Sequence, residues 1–232
     1  MKEKIIVALD VSSADEALRL TRELHDLCGM VKVGSQLFMS AGPSVVRDIV
    51  AAGGKVFLDL KFHDIPNTVT QAAVEAAKLG VSMMTIHASG GRAMMQSVAH
   101  ELGERFPKTR PFVVAVTILT SLDMHALFEM GFELPVEQRV RRLATLAAEC
   151  GIDGVVCSPR EVSILRSSVR PDFKIVVPGI RMPGQSLNDQ QRTATPAEAI
   201  AAGADHIVIG RSVTGSPNPR KALEEVLESL KT

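Results

Sequence analysis

Eight short apolar runs, rich in valine and isoleucine, alternate along the chain with longer segments in which apolar and polar residues mix. Such runs are typical of buried strands, and the segments between them have the pattern of helices packed outside a sheet. The predicted strands are residues 5–10, 31–38, 55–62, 83–88, 112–119, 154–158, 174–180 and 206–212. The predicted helices are residues 14–26, 43–52, 67–79, 92–105, 138–149, 160–168, 196–202 and 218–230.

Eight strand–helix units within 232 residues favour one architecture, the single-domain (β/α)8 TIM barrel. Length alone would also allow two small domains. The chain contains neither a linker nor a low-complexity segment, so one domain over residues 1–232 is predicted. The two longest connections, 120–137 and 181–195, follow the fifth and seventh strands. They therefore lie at the C-terminal face, which carries the chemistry in such barrels.

The composition of the chain narrows the classes of molecule that it is expected to bind. The 26 Lys and Arg balance the 26 Asp and Glu, and aromatic residues make up 3% of the chain, with no Trp or Tyr. Without a positive field or stacking surfaces, no nucleic-acid polymer is expected as a partner. No apolar run approaches the roughly 18 residues of a membrane span, so no membrane association is predicted.

The pattern of the first residues and the number and spacing of the cysteines indicate the cellular compartment of the protein. The first apolar run is short and ends at Asp10, unlike a secretory signal peptide. Cys28, Cys150 and Cys157 are odd in number and lack metal-ligand spacing, which favours free thiols in a reducing environment. A cytoplasmic location is the expectation.

The third predicted strand carries charges within an apolar pattern. Alternate residues from Val56 to Phe62 form an apolar face, whereas Asp59 and Lys61 share the opposite face with Phe57. With the apolar face against the helices, Asp59 and Lys61 point into the barrel near its mouth. The pair could be an ordinary ion pair. Because buried ions cost several kcal/mol each unless they are well paired, their position favours a functional site.

The segment DLKFHDIPNTV (59–69) resembles the D-x-K-x-x-D-I-P-x-T signature of the orotidine 5′-phosphate decarboxylase family. Further segments agree with that family in order and spacing: VALD (7–10), VKVG (31–34), VTILTS (116–121), VPGIR (177–181), DQQR (189–192), TP (195–196) and IVIGRSV (207–213). The resemblance covers essentially the whole chain. It implies a barrel that converts orotidine 5′-monophosphate to UMP and CO2 in pyrimidine biosynthesis, with no metal and no other cofactor.

The resemblance also implies roles for individual residues. Lys61 is the proton donor, and Asp59 is the carboxylate that faces the carboxylate of the substrate. Lys32 and Asp64 complete an alternating charge network. Asp64 and Thr68 reach the site of a partner subunit, which implies a homodimer with composite active sites.

The resemblance implies contacts to each part of the substrate. The ribose contacts are Asp10, Lys32 and Thr68, and the pyrimidine lies near Thr120 and Ser121. The phosphate contacts are Arg181, Gln190, Gly210 and Arg211, and Asp59, Lys61, Asp64 and Ile65 complete the set. A glycine and a guanidinium after the eighth strand suit a barrel phosphate site on physical grounds as well. The 181–191 loop is expected to close over the phosphate.

Each residue outside the central motif also has an ordinary interpretation. Asp10 could cap a helix, Lys32 could be a paired structural lysine, and Arg211 could be a surface cation. His63 and His87 are interpreted as hydrogen-bonded structural residues without a role in proton transfer.

Two other functions share the central motif. A keto-gulonate phosphate decarboxylase or a hexulose phosphate synthase has the same barrel but uses Mg²⁺, with an acidic ligand where this chain has Lys32. A cation beside the metal would be repulsive, so Lys32 and the segment 65–68 favour the nucleotide enzyme. The other alternative is an inert barrel that binds a phosphate-bearing ligand.

Overall fold

A closed barrel of eight parallel strands forms the centre of the computed structural model, which describes residues 1–182 and 193–231. Each strand pairs with the next along the chain, and the last pairs with the first. The strands are β1 (Ile5–Ala8), β2 (Met30–Gly34), β3 (Val56–Phe62), β4 (Met83–His87), β5 (Phe112–Val116), β6 (Gly154–Val156), β7 (Lys174–Val177) and β8 (His206–Ile209). The predicted (β/α)8 barrel is confirmed.

Helices surround this barrel. They are α1 (Ala14–Leu24), α2 (Ser35–Ala41), α3 (Ser44–Ala51), α4 (Pro66–Lys78), α5 (Gly91–Arg105), α6 (Met124–Glu129), α7 (Val136–Glu149), α8 (Val162–Arg166), α9 (Pro196–Ala201), α10 (Arg211–Thr214) and α11 (Pro219–Ser229). Short 3-10 turns lie at Lys2–Lys4, Ala88–Gly90 and Pro159–Glu161. Within the described ranges, no helix combines the length and apolar character needed to cross a membrane.

Several predicted strands were too long at their C-terminal ends. The run predicted as a strand over 31–38 is a strand only to Gly34, after which α2 begins. Leu37 of α2 is fully buried, so the apolar run continues because the helix packs on the barrel and not because the strand extends. The run predicted over 206–212 likewise ends at Ile209, and α10 starts at Arg211. The connection 120–137 contains a short helix, α6.

The apolar core has two separate parts. The larger part lies between the strands and the helices and includes Val56 and Leu58. The smaller part fills the barrel interior with buried residues from seven strands and the partly buried Val156 from β6: Ile6, Ala8, Met30, Phe57, Met83, Val114, Val176, Val208 and Val156. We call this second part the interior plug. It makes an apolar floor beneath the C-terminal mouth of the barrel.

Candidate active site

A cavity of about 380 Å³ opens at the C-terminal mouth, directly above the interior plug. Plug residues such as Phe57, Val176 and Val208 line it. Its polar lining comes from the ends of several strands and the segments that follow them: Asp10, Lys32, Asp59, Lys61, Thr120, Ser121, Arg181, Gly210 and Arg211. Every residue in this polar group was among the predicted substrate contacts.

Four charged side chains in the cavity alternate in sign. The Nζ of Lys61 donates to both carboxylate oxygens of Asp59, at 2.9 Å each. The Nζ of Lys32 lies 3.8 Å from Asp59 Oδ2 and donates to Asp10 Oδ1 at 3.1 Å. The order Asp10–Lys32–Asp59–Lys61 therefore places each inner charge between two opposite ones. We call these four residues the charge network.

Burial makes this network electrostatically strong. The burial lies in the inner pair: the side chains of Lys32 and Asp59 are 11% and 14% exposed, whereas those of Lys61 and Asp10, at the two ends, are 38% and 48% exposed. Charges that have lost most of their water interact more strongly than surface charges, and each would be costly without its partners. The network is therefore a preorganised set of fixed charges around the centre of the cavity.

The backbone at the end of β3 is unusual. Lys61 has φ 52°, in the left-handed region, and it is the single non-glycine residue with positive φ in the described part of the chain. The pairing of β3 with β4 is irregular between Leu58 and Phe62. Nothing in the sequence pattern predicted either feature. The backbone N–H of Lys61 donates to Thr85 Oγ1 at 2.8 Å, and this threonine was not among the predicted residues.

Comparison with known proteins assigns the family. The family model described as "Orotidine 5'-phosphate decarboxylase / HUMPS family" matches residues 3–226. The chain belongs to this family. The relative named orotidine 5′-phosphate decarboxylase from Geobacter sulfurreducens is 50% identical over 230 residues, covering 99% of this chain and 96% of that protein. A relative of the same name from Syntrophotalea carbinolica is also 50% identical, covering 99% of this chain and 95% of its own.

A solved structure agrees with this assignment. The crystal structure of orotidine 5′-phosphate decarboxylase from Lactobacillus acidophilus superposes with a TM-score of 0.87 at 38% identity. It covers 98% of this chain and 99% of that chain. The family resemblance predicted from the motif is therefore confirmed.

Three of the residues implied by the family motif lie outside the cavity of their own chain. Asp64 and Ile65 precede α4, and Thr68 lies in its first turn. All three are exposed, and Ile65 is 67% exposed. The Asp64 carboxylate accepts the N–H of Ile65 at 2.6 Å. The charge network within one subunit thus ends at Lys61, and the role of Asp64 across an interface stays a prediction.

The structure describes some of the predicted phosphate contacts. Gln190, the DQQR segment and most of the 181–191 loop lie outside the described residues. Arg181 lies at the cavity, where its backbone N–H donates to the carbonyl of Ala194 at 3.0 Å. Its side chain also donates to the carbonyl of Ile180 at 2.9 Å.

The two histidines lie beside the network without lining the cavity. The rings of His63 and His87 are 5.1 Å apart between centroids. Burial lowers the pKa of His87, His63 and Lys61 lower it further, and Asp59 opposes them. The structural interpretation of the two histidines stays a prediction. Within the described ranges, no cluster of three or more His, Cys, Asp or Glu side chains could hold a metal ion.

Proposed function

We propose that this protein decarboxylates orotidine 5′-monophosphate to UMP and CO2. The observation that carries the proposal is the charge network, in which Lys61 Nζ and the largely buried Asp59 carboxylate meet at 2.9 Å in the lining of an open cavity. The sequence around this pair matches the family, and the relatives that bear the decarboxylase name are half identical to the chain.

The reaction needs a fixed positive charge. When the bond between C6 and the carboxylate breaks, its electron pair stays on C6 in an orbital that the ring cannot delocalise well. The Lys61 ammonium next to C6 stabilises that pair as it forms. A proton then passes from Nζ to C6, which completes UMP and leaves a neutral amine that takes a proton from water.

Asp59 acts on the substrate. Its carboxylate lies next to the position proposed for the substrate carboxylate, so binding brings two like charges together. Loss of CO2 removes that repulsion, which makes the transition state more favourable relative to the bound substrate. Lys32 and Lys61 keep Asp59 in place on its two sides.

Contacts remote from C6 supply the binding energy that holds the ring against Asp59. Arg181, Gly210 and Arg211 follow β7 and β8 and are assigned to the phosphate. Asp10 and Lys32 are assigned to the ribose, and Thr120 and Ser121 to the pyrimidine. Binding energy from groups that do not react can offset the cost of the repulsion at the reacting centre.

Lys32 favours this reaction over a Mg²⁺-dependent one. Its ammonium lies 3.1 Å from Asp10 and 3.8 Å from Asp59, in the space between the two carboxylates that could otherwise bind a cation. A divalent ion there would be repelled by the ammonium at close range. The charge network therefore favours a reaction in which the substrate contacts a lysine ammonium instead of a metal ion.

One assay separates the three functions. The purified protein is incubated with orotidine 5′-monophosphate and EDTA, and the loss of substrate absorbance is followed. Turnover in the presence of the chelator is the expected result. Turnover of a sugar phosphate only with Mg²⁺ would favour the alternative enzyme, and binding of UMP without turnover of either substrate would favour the inert barrel.

We also propose a homodimer with composite sites, located in the cytoplasm. The exposure of Asp64, Ile65 and Thr68 at the start of α4 supports the dimer, since these residues are then available to a second subunit. Three free, buried cysteines support a reducing compartment.

A further inference from the structure

Near the end of β3, a single residue of β4 stands opposite three residues of β3. Leu58 pairs with Met84 and Phe62 pairs with Ile86, so residues 59–61 face Thr85 alone. A bulge of this kind leaves backbone groups of the longer strand without partners in the ladder. The side chain of Thr85 lies where these backbone hydrogen bonds are interrupted.

The Thr85 hydroxyl makes two hydrogen bonds of opposite sense. It accepts from the backbone N–H of Lys61 at 2.8 Å and donates to Asp59 Oδ1 at 3.1 Å. A hydroxyl has one proton and two lone pairs, so both bonds form together. Thr85 is 0% exposed, which keeps solvent from replacing either bond.

Lys61 is consequently held at both ends. Its backbone, at φ 52°, is bound directly to Thr85. Its ammonium is bound to Asp59, whose Oδ1 accepts from both Lys61 Nζ and Thr85. The three residues form a closed ring of hydrogen bonds. A β-branched side chain has few χ1 rotamers, so Thr85 is a stiff member of this ring.

We propose that Thr85 is a positioning residue for the decarboxylation, an inference that rests on the proposed function. Its hydroxyl holds the Lys61 ammonium and the Asp59 carboxylate in the arrangement that the chemical step needs. Thr85 does not itself line the cavity, so it acts through those two residues. Because the phosphate-binding side at Arg181 and Arg211 is separate, loss of the hydroxyl lowers kcat and leaves substrate binding largely intact.

Two substitutions that differ only in the hydroxyl test the inference. Thr85→Ser keeps the hydroxyl and Thr85→Ala removes it, whereas both lose the same methyl group. With orotidine 5′-monophosphate, we expect Thr85→Ala to lower kcat roughly 100-fold, the size of effect that a small misplacement of a catalytic group produces. We expect KM to stay within about threefold, and Thr85→Ser to keep kcat within about fivefold of the unchanged protein.

A third variant separates the effect of the side-chain shape from the effect of the hydroxyl group. Thr85→Val keeps the branched shape without the hydroxyl and should lose kcat as Thr85→Ala does. Equal losses in the serine and alanine variants, or a loss that appears in KM alone, would overturn the inference. Unfolding temperature and UMP binding are measured for each variant. If Thr85→Ala does not fold while Thr85→Ser does, the hydroxyl serves stability and the positioning role is wrong.

The activity of the unchanged protein distinguishes a failure of this inference from a failure of the proposed function. Absence of turnover in that protein counts against the decarboxylase itself. An active unchanged protein with a fully active Thr85→Ala variant counts against Thr85 alone.

Discussion

Gly34 leaves the space into which the ammonium of Lys32 extends. A Cβ built on Gly34 would lie 3.1 Å from Lys32 Nζ, closer than most real contacts of a Cβ atom. The backbone of Gly34 has φ −95°, which alanine adopts readily. A side chain here would therefore disturb the charge network without straining the strand.

For this reason Gly34→Ala should lower kcat/KM about tenfold, because a shift of Lys32 weakens its hydrogen bond to Asp10 and its ion pair with Asp59. The unfolding temperature should change little, since the displaced atom is the end of a flexible side chain. Gly103→Ala is the control, because a Cβ at Gly103 in α5 meets nothing within 4 Å. Steady-state kinetics on both variants make the test, and equal kcat/KM in the two would contradict it.

Lys61→Ala should abolish measurable decarboxylation in a folded protein. In the proposed mechanism Lys61 supplies both the charge next to C6 and the proton, and a general acid alone contributes roughly 10²–10⁴-fold. Circular dichroism establishes folding, and the assay with orotidine 5′-monophosphate measures kcat. Lys55→Ala, with a side chain 65% exposed just before β3, is the control and should be fully active. Near-normal kcat in Lys61→Ala would remove the proposed role.

Arg211→Ala should lower kcat/KM for orotidine 5′-monophosphate by roughly 10–100-fold, the equivalent of one lost charged hydrogen bond. The loss should depend on the phosphate. Orotidine, which lacks that group, is the control substrate, and its low kcat/KM should be the same for the variant and the unchanged protein. A loss that is equal for both substrates would show that Arg211 does not contact the phosphate.

A Lys61→Ala chain and an Asp64→Ala chain, each inactive alone, should restore activity when mixed after reversible dissociation. In the heterodimer one site carries both defects, and the other takes an intact Lys61 and an intact Asp64 from different chains. With random pairing in a two-fold symmetric dimer, about a quarter of all sites recover. Demonstrated subunit exchange without recovery would mean that Asp64 serves its own barrel.

Stability should fall in mild acid because of His206. Burial lowers the pKa of this residue, Lys174 and Lys4 act in the same direction, and Asp205 and a backbone hydrogen bond to Glu3 oppose them. Within residues 1–182 and 193–231, its Nδ1 is buried without a hydrogen-bond partner. The unfolded chain, with a histidine pKa of about 6.5, then binds the proton more tightly than the folded one.

The stabilising contribution of neutral His206 is therefore present above about pH 6.5 and is lost as the pH falls through the lowered folded pKa. His206→Gln should show a smaller decrease in unfolding temperature between about pH 7 and pH 5 than the unchanged protein. The unfolding temperature of His206→Gln should still decrease somewhat over this pH range, because the pKa of His87 is lowered as well. His125→Gln, with a side chain 82% exposed, is the control and should keep the original slope. Identical slopes in all three proteins would contradict the prediction.

The sequence predicted the barrel because every strand is an apolar run, and it predicted Asp59 and Lys61 because charges interrupt the pattern of one of them. It did not locate the end of β2, because the apolar residues Leu37 and Phe38 follow within α2, which packs on the barrel. Nor did it locate the end of β8, where α10 begins at Arg211 directly after Gly210. The left-handed backbone of Lys61 and its bond to Thr85 depend on the register between β3 and β4, which no local pattern encodes. The position of Asp64 relative to a second subunit likewise depends on contacts between two chains, which the sequence pattern of one chain does not reveal.

The floor of the cavity is also part of the folding core, since the same apolar residues belong to the interior plug and line the cavity: Ala8, Phe57, Val156, Val176 and Val208. Deepening the cavity by truncating Phe57 would cost about 3–5 kcal/mol, typical of a buried aromatic residue, and that is a large part of the stability of an ordinary domain. Exposed residues at the rim of the cavity, such as Ser121 in the connection after β5, carry no such cost. New substrate preferences on this barrel should therefore evolve by changes at the rim, while the depth of the cavity stays fixed by the need to fold.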